Sequence, residues 1–215
     1  MNVLILAPHT DDGEFGCGGT IARFVSEGHQ VYSVAFSAAE TSVDPQFPRD
    51  ILRKEIVDAT AILGLPRENL QVLGFPVRDF PAHRQEILEV MVKLNAELKP
   101  DLVFLPSTSD THQDHHVVST EGFRAFKRTS ILGYELPWNN LTFATNTFVI
   151  LQEEHVQLKM KALEQYKSQA GRLYSTGGFV RNLANVRGVQ IGAQFAEAFE
   201  GIRWVMNGPG GSAAL

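Results

Sequence analysis

Two short stretches of this chain concentrate side chains that hold metals and move protons. One is His9-Thr10-Asp11-Asp12 within APHTDDGEFGCGG; the other is His112-Gln113-Asp114-His115-His116 within PSTSDTHQDHH. The remaining histidines, His29, His83 and His155, stand alone. Imidazole and carboxylate without cysteine suit a catalytic zinc, with three protein ligands and an open position for water. The first stretch can supply one imidazole and one carboxylate and leave a second carboxylate free. A free carboxylate beside an activated water is what a general base has to be. On a loop or first helical turn, His112, His115 and His116 stand at i, i+3 and i+4. One can bind metal while another faces a substrate, and spacing leaves open which.

Blander readings compete. Asp11 and Asp12 alone would serve as a helix cap, satisfying free backbone N–H groups. The second stretch alone reads as a solvated polar loop. What favours chemistry is that both stretches directly follow a predicted strand. Cys17 reads as a small packing residue in a tight turn. Gly13, Gly16, Gly18 and Gly19 do not form GxGxxG, because Ile21 stands where the third glycine belongs. The next strand ends Ala35-Phe36-Ser37 with no acidic residue, so a dinucleotide loop is disfavoured and the glycines read as close strand–helix packing.

The elements that must position these groups alternate. Residues 2–7 (NVLILA) form an apolar run of strand length, as expected of a strand buried on both faces. Residues 18–28 read as a helix stopped by Gly28, 29–37 as a second strand and 38–48 as a long polar loop. A helix over 49–63, a short strand over 69–74, a helix over 84–98 and a strand over 101–106 follow. Alternation with short connections predicts an α/β fold with a parallel sheet and right-handed crossovers. In the common doubly wound orders the first and fourth strands are neighbours, so both stretches would meet in the crevice where strand order reverses. Beyond about residue 132 the spacing predicts strands over 131–136 and 141–151, helices over 153–168 and 177–187, and a strand-like end to 196–205. This reads as an extension of one domain covering 1–206, with a disordered tail over 207–215.

Composition narrows the classes. The chain has 215 residues and a formal net charge of −5 without a Lys/Arg run, which argues against nucleic-acid binding. A hydrophobic fraction of 44% is enough for a core, and a lone cysteine precludes an internal disulfide. No apolar run approaches the ~20 residues of a membrane span. The start MNVLILAPHTDD lacks a basic leader segment and reads as a strand, so a cytoplasmic location is expected.

PHTDDGEFGCGGT followed by HQDH resembles the PIG-L/LmbE family of zinc-dependent N-acetylglucosaminyl deacetylases. Weaker matches are RKEIVDATAILGL, the LGFP turn and AEAFEGIRW, so the resemblance spans roughly residues 1–204. It implies a Rossmann-like three-layer sandwich with a mainly parallel sheet and a mixed C-terminal extension. It also implies removal of acetyl from an N-acetylated sugar conjugate, with zinc or another divalent metal such as Fe2+ as cofactor.

Position by position, the resemblance makes His9, Asp12 and His115 metal ligands and Asp11 the general base. His112 stabilises the oxyanion, preferably protonated, and Asp114 orients it; His116 lies outside the pattern. Arg53 matches an arginine that contacts substrate in some members, and Asp79 stands nearest the family's sugar-contacting carboxylate. The sequence departs from the usual AHPDDE: Pro8 and Thr10 replace Ala and Pro, and Gly13 precedes Glu14, whose role stays open. Competing readings are a zinc amidase for a non-sugar N-acyl compound and a non-catalytic sugar-binding protein. A homo-oligomer is left open.

Overall fold

The computed structural model describes residues 1–206; the expected tail over 207–215 lies outside them. The fold is built outward from an interior strand, β1 (Asn2–His9), whose residues Val3 to Leu6 are wholly buried. It pairs in parallel with β2 (Gln30–Ser37) on one side and β4 (Leu102–Pro106) on the other. Outside β2 lies the short β3 (Leu70–Val72), and outside β4 lies β5 (Ser130–Tyr134), both parallel. Two antiparallel strands, β7 (Phe195–Arg203) and β6 (Thr147–Leu151), complete a seven-stranded sheet of order β3-β2-β1-β4-β5-β7-β6. The chain runs outward from β1 to β3, then returns to place β4 against the other side of β1. That reversal brings the loops after β1 and β4 into one crevice.

Helices cover both faces of the sheet. The helices α1 (Asp12–Ser26), α2 (Ile51–Ile62) and α5 (Glu153–Leu163) pack together, and α3 (Arg84–Leu98) packs on α4 (Gln113–Ala125). Alternate β1 side chains feed the two layers: Val3 and Ile5 join Phe15, Ile21 and Phe104, whereas Leu4 and Leu6 join Phe80, Met91 and Phe126. The last helix, α6 (Gly177–Val189), packs on β7 and α5. No helix among the described residues is long and apolar enough to cross a membrane.

Several boundaries differ from the sequence expectation. α1 starts at Asp12 rather than residue 18, so the glycine-rich run is helical despite its poor propensity. Packing overrides propensity there. A Cβ at Gly16 would lie 2.4 Å from Cδ2 of Tyr134, and one at Gly19 would lie 2.5 Å from Leu151 Cδ1. The helix kinks at Cys17 (φ −145°), and the N–H groups freed by the kink are taken up by a carboxylate. Glu197 on β7 accepts from the N–H of Gly19 at 3.0 Å and from the N–H and hydroxyl of Thr20 at 2.7 and 2.6 Å. Lys159 on α5 donates to Glu197 at 2.6 Å and to the Phe15 carbonyl at 2.7 Å. The Glu197 carboxylate of this buried ion pair thus accepts four hydrogen bonds and the Lys159 ammonium donates two, the kind of added bonding under which such a pair is tolerated. Cys17 is buried and donates to the Gly13 carbonyl at 3.2 Å, a packing residue as expected.

The helix α4 has no counterpart in the expected pattern. Its core-facing residues include Asp114, His115, Ser119 and Glu121 alongside Val117 and Val118, so the apolar period is broken by buried polar groups. In the C-terminal part only 147–151 of the expected 141–151 strand is a strand, and α5 ends at Leu163 before a 3-10 turn, Lys167–Gln169.

Candidate active site

The two stretches do meet. His9 is the last residue of β1, Asp12 the first of α1, and His112 the N-cap of α4, with Asp114 and His115 in the first turn. His9 Nδ1 lies 3.1 Å from Asp12 Oδ2; His115 Nε2 lies 3.2 Å from the same oxygen and 3.3 Å from His9 Nδ1. Ligands ~2.0–2.1 Å from a tetrahedral zinc stand ~3.3 Å apart, so these three atoms form a face that such an ion fits.

The other ring nitrogens are held by carboxylates. His9 Nε2 donates to Asp114 Oδ2 at 2.9 Å, and His115 Nδ1 donates to Asp110 Oδ2 at 2.8 Å. Each bond fixes a tautomer whose free lone pair faces the shared point, the arrangement carboxylates impose on metal-ligating histidines. Burial works against charge on both rings. The surrounding carboxylates outweigh it, pushing His9 up to about 9 and His115 up to about 10. Burial also opposes charge on Asp12, yet His115 and His9 hold its carboxyl well below the usual range. A field that favours protons on two facing imidazoles favours a cation between them.

Donor atoms of His9, His112 and His115 also lie within 4.8 Å of one another. Asp12 is nevertheless the better third donor. His112 Nδ1 accepts the backbone N–H of Asp114 at 3.1 Å, so a neutral His112 carries its proton on Nε2 and offers no lone pair there. Burial, followed by the charges of His115 and His9, lowers the His112 pKa and keeps it neutral.

Around this point lies a cavity of about 300 Å³, lined by Asp11, His112, Arg78, Trp138, Arg172 and Tyr174 among others. Asp11 is not among the three converging donors. Burial and then the charge of Asp12 push its carboxyl up to about 6, against the opposing pull of Arg172 and His9. Glu14 is buried, and burial is the main force pushing its carboxyl up to about 8.

Three placements differ from the resemblance. The Asp114 carboxylate faces His9, not His112, and also accepts the N–H groups of Arg78 at 2.6 Å and Phe80 at 3.3 Å. Arg53 lies outside the cavity: it pairs with Glu40 at 2.6 Å and donates to the Val72 and Leu73 carbonyls, lining a neighbouring space. Asp79 is exposed and paired with His83 at 3.5 Å, while its neighbour Arg78, also exposed, lines the cavity. His116 is exposed.

Sequence reasoning missed Asp110, Arg78, Arg172 and the aromatic wall. Asp110 carried a weak signal, an acid directly after the fourth strand's turn and two residues before the histidines. Arg78 has φ 68°, a left-handed conformation that costs a residue with a Cβ roughly 1–2 kcal/mol. Trp138 and Tyr174 stack at 3.8 Å with 12° between their planes.

The chain is similar in sequence to deacetylases. It is 29% identical over 174 residues to the uncharacterized deacetylase YaiS of Escherichia coli K12, covering 77% of this chain and 90% of the relative. It is 25% identical over 229 residues to the diacetylchitobiose deacetylase of Thermococcus kodakarensis, covering 94% of this chain and 82% of that one. Among solved structures, the conserved protein TT1542 of Thermus thermophilus superposes with a TM-score of 0.77 at 27% identity, over 98% of this chain and 99% of that one. The PIG-L family, described as GlcNAc-PI de-N-acetylase, matches residues 4–126, a stretch holding every residue of the donor cluster and its carboxylate supports. The chain therefore belongs to the PIG-L family, as a deacetylase.

Proposed function

We propose that this deacetylase is zinc-dependent and removes the N-acetyl group from an N-acetylglucosamine-type sugar conjugate, giving acetate and a free amine. The observation that carries the reading is the 3.1–3.3 Å triangle of His9, Asp12 and His115, with Asp11 and His112 lining the same cavity. Zinc at that triangle would supply a Lewis acid that polarises the amide carbonyl and brings the pKa of water toward neutrality.

The side chains do the rest. Asp11, ionised, accepts the proton of the attacking water and returns it to the amine nitrogen as the C–N bond breaks. That return is needed because an amide anion is a very poor leaving group. His112 donates its Nε2–H to the carbonyl oxygen as negative charge develops there. It does so as a neutral imidazole, because protonating Nδ1 would cost it the Asp114 N–H bond that caps α4. Asp114 and Asp110 keep the two ligand imidazoles in the tautomers that face the ion.

Acetate release from a panel of N-acetylglucosaminides by zinc-loaded protein tests the reading. Release that depends on zinc and vanishes in D11N with zinc still bound is expected. Zinc-loaded protein that releases no acetate from any of them overturns the sugar substrate.

A further inference from the structure

Beyond the donor cluster and Asp11, whose carboxyl Arg172 acts on through its charge, the cavity's charged residues are arginines. Arg78 and Arg172 both line it, and neither forms an ion pair with a carboxylate among the described residues. Arg23, Arg53, Arg84, Arg124, Arg181 and Arg187 pair with glutamates, and Arg67 and Arg203, which do not, donate to backbone carbonyls outside the cavity. Arg78 donates one N–H to the Ser42 hydroxyl at 3.0 Å. Arg172 donates to the Tyr174 hydroxyl at 2.5 Å and sits 5.7 Å from that ring's centre, which orients its guanidinium.

The backbone at Arg78 is the second observation. Its φ of 68° is a conformation glycine adopts without penalty, yet the position holds an arginine. Its own N–H is tied at 2.6 Å to the Asp114 carboxylate that holds His9, so the turn is anchored to the centre of the site. Ala39 and Lys99 also have positive φ, but Arg78 alone among the three is tied by its N–H to the Asp114 carboxylate and so held at the site in a costly conformation.

We infer that Arg78, with Arg172, reads an acidic group on the substrate beyond the sugar ring, a carboxylate or a phosphate. This rests on the deacetylase reading above and specifies its substrate class. A guanidinium only donates, in a fork matched to two oxygens of one anion, whereas sugar hydroxyls both donate and accept. A cavity built for a neutral second sugar would present acceptors in the place of these two cations. The amides of Asn139 and Gln169 are the remaining neutral polar side chains besides hydroxyls.

The test compares three substrates of the zinc-loaded enzyme: methyl N-acetylglucosaminide, its carboxymethyl analogue and N-acetylglucosamine 1-phosphate. At least one acidic compound should show kcat/KM about ten-fold or more above the neutral one, through KM, as a charged hydrogen bond would give. The advantage should shrink as salt rises. Whichever acid wins distinguishes carboxylate from phosphate. R78K should keep most of the preference, while R78Q and R78G lose it. R78G also relieves the left-handed strain, so its Tm should not fall and misfolding cannot explain the loss. Equal kcat/KM for all three substrates, or R78Q lowering all of them by one factor, overturns the inference while leaving the deacetylase reading intact. Calorimetric binding of the same compounds to zinc-loaded D11N reads the preference without turnover. Tighter binding of an acidic compound supports it, and equal binding overturns it.

Discussion

Asp114 holds His9 with its side chain and His112 with its main chain. Its carboxylate lies 2.9 Å from His9 Nε2, and its N–H donates to His112 Nδ1 at 3.1 Å. One residue thus sets the tautomers of two imidazoles on different elements. D114N keeps the main-chain bond but replaces an ionised acceptor with an amide. Metal affinity should fall by about 10–100-fold, the usual cost of losing a carboxylate behind a ligand histidine. Chelator competition measures this; unchanged affinity would separate the His9 tautomer from metal binding.

D11N should keep the metal and lose turnover by roughly 10²–10⁴-fold, the range of general acid–base catalysis. Metal content and kcat on the same preparation decide it. Loss of metal in step with activity would make Asp11 a ligand.

The pH profile should follow Asp11. A base has to be ionised, so kcat/KM falls as pH drops through the Asp11 pKa. That group is pushed up to about 6 without a cation, and a divalent ion beside it draws the acid limb to that value or lower. Arg172 opposes the upward shift, so R172Q should move the limb toward higher pH. A limb that stays put in R172Q would assign it to another group.

H112Q should lower kcat by about 10²–10³-fold, as for removal of an oxyanion donor, with metal retained. Because His112 works neutral, the alkaline side of the profile should keep its shape. An alkaline limb that disappears in H112Q would show that the charged form is the active one.

G16A should destabilise the protein by roughly 1–3 kcal/mol, the cost of overpacking a filled core. The added methyl would meet the buried Tyr134 ring at 2.4 Å, and Tyr134 is itself fixed by donating to the Leu6 carbonyl at 3.1 Å. Chemical denaturation measures it; wild-type stability would mean the helix can shift away from β5.

What was legible in the sequence was set by local pattern. The apolar run after Met1 and the 3.6-residue spacing of Ile87, Val90, Met91 and Leu94 are local, and β1 and α3 fall where those patterns put them. The adjacency of β1 and β4 followed from topology, and it brings His9 to His115. α4 escaped because its inner face carries the site's own polar groups, so chemistry erased the periodicity. The same trade hid the start of α1, where glycines needed for close packing look like loop. Arg78 and Arg172 sit on irregular segments whose side-chain direction depends on backbone angles rather than spacing. Asp114 was visible, but which imidazole it supports depends on a hydrogen bond across 105 positions of sequence.

The Glu197–Lys159 pair bears on how divisible this protein is. The family match ends at residue 126, and every group at the donor triangle precedes that point. Yet the helix that begins with Asp12 is held before its kink by Lys159 and past it by Glu197, and β5 has its outer edge covered by β7. A fragment ending at 126 would contain the whole reactive inventory and lack the vice that keeps α1 in register with β1. The donor and proton-moving groups lie within residues 4–126, while the rest of the chain supplies their support together with the cavity side chains Trp138, Arg172 and Tyr174.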